Sequence, residues 1–371
     1  MSRNTAPLGE RTHTNIHDIE RQLNDLWREA TADHPDAVTR VCVLNLLIVA
    51  ADPDAVERAG EVVAKLTMRF PNRAIVIQAE PAGEDLLDAW VQANCPLPAP
   101  GRPQVCCEQI TILARGPAVA RVPGTVLPLL APDVPVVLWW PRGEPFDDPL
   151  FARLGGIANR VIVDSASFAR PGAGLERLAA RLGGNGPAIS DMSWDRLTPW
   201  RELVAQFFDA PAMVPHLYEA QRLTIDYTAP QDDALEQPAL LLMLGWLASR
   251  LGWQRAGAPE SGPGRVSFAL RRADGAPLAA EFRWVAPGSP EAGRAPVVVL
   301  ECAGARFEVA RVAGTLDAGE VRADIGGLRP IQRIVRLETR DDAALIGEEL
   351  QLFGRDQGFE AALRAACELR K

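Results

Sequence analysis

VCVLNLLIVA, residues 41–50, sets the reading of everything around it. Apart from Asn45 the run is apolar, and it lacks the every-second-residue alternation of a strand with one wet face. Such a run is a strand buried on both sides, which in soluble proteins means a parallel sheet held between helices. Working outward, residues 15–31 line up Ile16, Ile19, Leu23, Leu26, Trp27 and Ala30 along one side of a helix. DAVERAGEVVAKLTMRF (54–70) has the helical period, RAIVIQAE (73–80) is a second strand, and EDLLDAWVQA (84–93) reads as a second helix. VCCEQITIL (105–113) alternates more, so one of its faces is expected to be less buried. AVARVPGTVLPLLA (118–131) is a weaker helix interrupted by prolines. VPVVLWW (134–140) and RVIVDS (160–165) are further strands with a short helix from Pro149 to Ile157 between them, and GLERLAARL (174–182) continues the alternation. Strand and helix alternating this often predict a Rossmann-like α/β domain with a mostly parallel sheet. We expect it to span residues 1–185, closed by the Gly-rich break RLGGNGPAIS (181–190).

Residues 186–371 read differently, as an α+β domain with an antiparallel sheet. It opens with DMSWDRLTPWRELVAQFFD (191–209). There Thr198 is a suitable N-cap, Pro199 suits the first helical position, and Trp200, Leu203, Val204, Phe207 and Phe208 form an apolar stripe. Burying that stripe contributes roughly 10 kcal/mol before entropy, as an upper bound. LTIDYT (223–228) is a strand, and LEQPALLLMLGWLASRLGW (235–253) is a strongly apolar helix with Gly252 at its C-terminal stop. RVSFALRR, AAEFRWVA, PVVVLECAG, RFEVARV and RIVRLETR follow at strand spacing, and helices from Asp341 to Gly354 and Gly358 to Arg370 close the chain.

A chain of 371 residues with 47% hydrophobic and 23% charged residues is globular, and its length suits two domains. The net charge of −9 and the absence of any Lys/Arg cluster argue against a nucleic-acid partner. Lys65 and Lys371 are the only lysines. There is no apolar run long enough to span a membrane and no apolar signal core near the N-terminus, so the cytoplasm is the expected compartment. The six cysteines contain no C-x-x-C pair. Cys42, Cys106 and Cys107 lie in apolar runs, where a free thiol packs as a small hydrophobe.

Chemistry-bearing patterns are scarce. No G-x-G-x-x-G follows the first long strand, where the sequence is ADPDAVERAG, and no P-loop, H-E-x-x-H or G-x-S-x-G occurs. His13 and His17 have i, i+4 spacing without further ligands, so no metal site is expected, and His34 and His216 have no Ser or Cys partner nearby. Neither a catalytic residue nor a cofactor is implied. Glu108 shares the parity of Cys106, Ile110 and Ile112, so it is either a buried carboxylate needing a partner or the wet side of an edge strand. In a parallel sheet the carboxyl ends of the strands form one rim, carrying Glu80, Arg115, WWPRGEPFDD (139–148), Asp164 and Ser165. Arg115, Arg142 and Ser165 there are candidates to hold an anionic sugar phosphate.

TRVCVLNLLIVA, RFPNRAIVIQAEP, VCCEQITI, LAPDVPVVLWWP, RVIVDS and ISDMSWDRLTPWRELVAQFFD, in that order, resemble the OpcA family of glucose-6-phosphate dehydrogenase assembly proteins, and GWLASRLGW fits the same pattern. The resemblance covers roughly residues 20–255 well and the rest more loosely. It implies a non-catalytic partner of glucose-6-phosphate dehydrogenase that promotes the enzyme's active oligomer and conformation. It transfers no catalytic residues. Cyanobacterial relatives respond to thioredoxin through cysteine pairs; here Cys367 has no close second cysteine, which speaks against redox control. Trp and Arg are favoured interface anchors. Trp139, Trp140 and Arg142 at a strand end, and Trp194, Asp195 and Arg196 before the helix cap, are therefore the expected partner-binding residues.

Overall fold

A computed structural model of the chain describes residues 12–31, 38–94, 104–352 and 354–371. The first part runs β1 (Thr12–Thr14), α1 (Ile19–Thr31), β2 (Val38–Arg40), β3 (Leu44–Ala50), α2 (Pro53–Leu66), β4 (Asn72–Glu80), β5 (Leu86–Asn94), β6 (Gln104–Arg115), α3 (Val122–Val126), β7 (Val136–Trp140), α4 (Pro149–Gly155), β8 (Arg160–Val163), α5 (Pro171–Ala179) and β9 (Ala188–Asp191). Then come α6 (Met192–Arg196), α7 (Thr198–Gln206), α8 (Val214–Tyr218), β10 (Ala220–Tyr227), α9 (Pro238–Leu251), β11 (Gln254–Arg255), β12 (Glu260–Gly262), β13 (Arg265–Arg271) and β14 (Pro277–Trp284). The chain ends with β15 (Val297–Cys302), β16 (Ala305–Arg311), β17 (Ala318–Ile325), β18 (Ile331–Arg336), α10 (Asp342–Glu349) and α11 (Gln357–Arg370).

Two compact units result. The first holds the described residues up to Ala169 together with Gly183–Met192 and Asp341–Arg355; the second holds Arg170–Leu182, Ser193–Arg340 and Asp356–Lys371. The units interleave along the chain, whereas a division after residue 185 cuts it once.

The first unit's sheet has the order β1-β5-β6-β4-β3-β7-β8-β9, with β2 beside β6. From β6 to β9 every pairing is parallel. The order β6-β4-β3-β7-β8-β9, with β3 first in sequence, is that of a doubly wound sheet. All seven residues of β3 are buried, as its unbroken apolar run requires. Val56, Val62, Val63 and Leu66 of α2 pack with Leu46, Ile48, Trp139 and, from α10, Leu345 and Ile346.

Three expectations need correction in this unit. Residues 84–93 supply the strand β5 instead of a helix. Leu86, Leu87, Trp90 and Val91 suit a helical spacing as well as a strand, and local pattern does not decide between them. The edge of β6 decides: β5 pairs with it antiparallel from Leu86↔Arg115 to Asn94↔Cys107, and β1 then pairs with β5. With β5 and β4 on either side, β6 is interior, and the less buried face expected for it is absent, since Cys106 to Thr111 are all buried. The Gly-rich break, finally, ends in β9, a further parallel strand beside β8.

The second unit's sheet has the order β11-β13-β14-β10-β15-β16-β17-β18, with β12 beside β13, and all its pairings are antiparallel except β10–β14. α9 is buried almost all round, as a helix apolar on every side must be. It ends at Gly252 in the left-handed region (φ 67°), as its sequence predicts. Gly245 brings α9 against α11 closely enough that a Cβ there falls 2.8 Å from Ala366 N and 2.9 Å from Ala366 Cβ. The α7 stripe packs as expected: Trp200, Leu203, Val204 and Phe208 are buried, and Phe207 and Phe208 meet Phe307 with centroids 5.2 and 4.8 Å apart. Thr198 does not cap α7, however. The N-cap position is Leu197, and the Thr198 hydroxyl accepts a bond from Arg201 Nη2 at 2.8 Å. Trp194, Asp195 and Arg196 lie in a separate short helix, α6, directly before it.

Candidate functional site

In a doubly wound sheet, ligands sit at the carboxyl ends of the strands where the order reverses, because the two flanking loops there turn in opposite directions. In this sheet that point lies between β3 and β7. A small cavity of about 180 Å³ opens there, lined among others by Asp52, Arg58, Trp139, Arg142, Asp164 and Asp342.

The turn from β3 into α2 is the position at which such folds cradle a dinucleotide pyrophosphate on free helix amides. Here Asp52 is the N-cap and its own carboxylate accepts the Ala55 N–H at 2.7 Å, with Pro53 following and Asp54 in the first turn. Anion-binding capacity at the helix start is thus already taken by an aspartate. A phosphate brought within about 4 Å of such a carboxylate meets repulsion on the order of 4 kcal/mol at a near-surface effective dielectric. These residues do not fit a dinucleotide pyrophosphate.

The rim residues separate into two groups. Arg115 ends β6 and pairs through Nε with Glu80 Oε2 at 2.7 Å, which holds the Glu80 carboxyl below its ordinary range. Arg142 reaches the adjacent residue, donating from Nη1 to Ala79 O at 3.1 Å, and its guanidinium lies 5.6 Å from the Trp140 ring centroid. The two arginines therefore gather at the end of β4. Ser165 is fully buried beyond β8, and its N–H donates to Asp191 Oδ1 at 3.0 Å. Four strand spacings separate β6 from β8, so Ser165 is about 19 Å from Arg115 across the sheet. The structure brings Arg115 and Arg142 together and leaves Ser165 apart. A larger groove of about 560 Å³, lined by Pro81, Pro117, Val119, Pro123, Leu150 and Arg153 among others, opens beside the same strand ends. Its polar groups are committed locally: Asp148 caps α4, and Arg153 donates to Ala120 O at 2.8 Å.

Most residues expected on a partner surface are interior. Trp139 (3% exposed) faces α2 and α10, and Trp140 (1% exposed) meets Phe151 edge-on with centroids 5.2 Å apart. Within the second unit, the buried Trp194 donates its indole N–H to Asp356 Oδ2 at 2.9 Å, while Asp356 Oδ1 accepts the Phe359 N–H and caps α11. The Arg201 guanidinium stacks 3.4 Å from the Trp194 ring centroid, and burial pushes its pKa down to about 10. Asp195 is buried and Arg196 exposed.

Of the two alternatives for Glu108 the structure has the buried carboxylate with a partner, and a second buried ion pair is one that sequence reasoning missed. Glu108, 4% exposed, pairs with Arg73 Nη2 at 2.7 Å and accepts the Trp27 indole N–H at 2.5 Å; Arg73 also donates to Glu20 and to Leu129 O. The carboxylate on an apolar parity was the one available signal. Arg160 pairs with Glu349 at 2.9 Å, with Ser190 bonded to both, and 189 residues of intervening chain leave no signal at all. Among the described residues, no group of three or more His, Cys, Asp or Glu side chains is placed to hold a metal ion, and no helix is long and apolar enough to cross a membrane. His34 and Cys95 lie outside the described residues. Cys106 is disulfide-bonded, which corrects its reading as a free apolar thiol. Cys42, Cys107, Cys302 and Cys367 are free, and burial pushes Cys302 up to about 12 and Cys367 up to about 11.

Residues 63–180 match the family model described as the glucose-6-phosphate dehydrogenase subunit N-terminal domain, and residues 187–363 match the model described as the C-terminal domain of that subunit. The chain is 31% identical over 319 residues to a putative OxPP cycle protein OpcA of Nostoc punctiforme, covering 83% of this chain and 67% of the relative. It is 29% identical over 314 residues to the protein of that name in Synechocystis sp., covering 80% of this chain and 63% of the relative. It thus spans about two thirds of these relatives' length. A probable oxidoreductase, yhhX, superposes with a TM-score of 0.50 at 10% identity, covering 87% of this chain and 94% of that one. At that identity the likeness is one of fold alone.

Proposed function

Since the chain belongs to the OpcA family, tied to the oxidative pentose phosphate cycle and to glucose-6-phosphate dehydrogenase, we propose that it is a non-catalytic assembly factor and allosteric activator that acts by binding that dehydrogenase. The observation that carries this reading is the match of both halves of the chain to domains described as those of a dehydrogenase subunit. The Asp52 cap supports it, because a doubly wound sheet with a carboxylate at its first helix start is poorly suited to nicotinamide chemistry. Such a protein works by differential affinity. It shifts the dehydrogenase toward its active form only as far as it binds that form more tightly, tenfold for each difference of about 1.4 kcal/mol. Arg142 and Arg196 are the partner-facing candidates with accessible side chains, while Trp139, Trp140, Trp194 and Asp195 support them from within. The test is to mix the purified chain with the dehydrogenase of the same organism and measure the eluting mass by light scattering. A complex heavier than either component is expected; two unshifted peaks contradict the reading.

A further inference from the structure

The last strand of the second unit's sheet is an open edge. Among the described residues β18 pairs only with β17, from Ala318↔Arg336 to Ala323↔Ile331. Just beyond this ladder the Leu337 N–H donates to Asp317 O at 2.7 Å. Opposed residues of an antiparallel pair alternate between bonded and non-bonded. Counting back by twos, Val335, Arg333 and Ile331 direct their backbone groups toward β17. Gln332, Ile334 and Arg336 direct theirs to the free edge.

Side chains tell the same story. Val321 and Ala323 of β17 are buried, yet Arg333 and Ile331 directly opposite them are exposed, so the cover over the sheet stops before β18. Four of the five most exposed large apolar side chains described lie in or beside this strand: Leu316 (76%), Leu328 (62%), Ile334 (62%) and Ile331 (54%). Arg329 and Arg333 add positive charge in a chain whose net charge is −9, and the exposed Arg336 adds a charge partly offset by Glu338 at 3.0 Å. Natural sheets usually blunt their edges, often with charge; the arginines do so against a neutral or basic strand, while the apolar, unpaired edge stays suited to a strand of opposite charge. A second copy of β18 brings the same arginines against one another, whereas an acidic strand offsets them.

We propose that β18 is a docking edge on which an extended acidic segment of the dehydrogenase adds as a further strand. This rests on the function proposed above. Ile334→Pro removes one outward amide while leaving the bonds to β17 intact. Ile334→Thr keeps that amide. With the full chain and purified dehydrogenase, Ile334→Pro and the double variant Arg333→Glu/Arg336→Glu each weaken binding by about tenfold or more, whereas Ile334→Thr stays within about threefold. The double variant's loss shrinks as salt is raised. In the unsubstituted chain, hydrogen exchange at Gln332, Ile334 and Arg336 slows when the dehydrogenase is added. If the unsubstituted chain binds but those amides exchange unchanged, or both edge variants bind like it, the docking edge is overturned and the proposed function stands. If the unsubstituted chain does not bind at all, both fall.

Discussion

The two sheets handle charge in opposite ways. Away from its rim, where Arg115–Glu80 is open to solvent, the parallel sheet seals its ion pairs inside: Arg73 and Glu108 have side chains 10% and 5% exposed, and Arg160 and Glu349 are 6% and 3% exposed. In the antiparallel sheet they lie on accessible strands, between neighbours in Arg283–Asp226 and within one strand in Arg306–Glu308 and Arg322–Asp324. A sheet covered on both faces has nowhere wet to put a charge, so each must be met by an exact partner and its hydrogen bonds. A sheet with one accessible face scatters its charges at little gain or cost. The first arrangement fixes a scaffold, and the second leaves a surface open to another protein.

That contrast is open to measurement. The largest effect is expected at Glu108→Ala, which leaves the buried Trp27 indole without its acceptor and Arg73 with only Glu20 and Leu129 O, and lowers unfolding free energy by about 3 kcal/mol in urea titration. A loss under about 1 kcal/mol puts the pair on a par with surface bridges. Next comes Gly245→Ala, which forces α9 away from the α11 backbone and lowers stability by about 1–3 kcal/mol. A neutral result means the two helices separate freely. Arg283→Ala, although Asp226 holds its guanidinium at 2.6 Å, changes stability by at most about 1 kcal/mol, because its side chain is half exposed. The smallest effect is one of pH. Lys65 beside Asp341 holds that carboxyl below its ordinary value, and both side chains are more than half exposed. The stability Asp341 contributes is present above the unfolded carboxyl's pKa of about 3.9 and is lost as pH falls through the lower folded value. Asp341→Asn flattens the fall in the urea midpoint between about pH 5 and pH 3.

Much of this was legible in the residues and some was not. β3, β4, β7 and β8 are readable because a strand buried on both faces leaves an unbroken apolar run. α9 is readable from its apolar surface and Gly252. β5 is misread because its spacing suits either element and only the open edge of β6 selects the strand. β9 hides behind glycines, and β17 (AGEVRADI) is missed although Val321 and Ala323 alternate with polar neighbours. At the candidate site, parity and strand polarity put Arg115 and Arg142 on one rim. The Glu80 pairing that occupies Arg115 depends on strand order, which no local pattern contains. Tryptophans placed as surface anchors by residue type are interior for the same reason: type gives affinity for interfaces of any kind, including those inside a unit.

The most direct test titrates this chain into a fixed amount of glucose-6-phosphate dehydrogenase while recording the glucose 6-phosphate saturation curve. Half-saturation is expected to fall and to level off once the enzyme is saturated with the chain, with no turnover by the chain alone. A curve unmoved at every ratio, or turnover without the dehydrogenase, contradicts this.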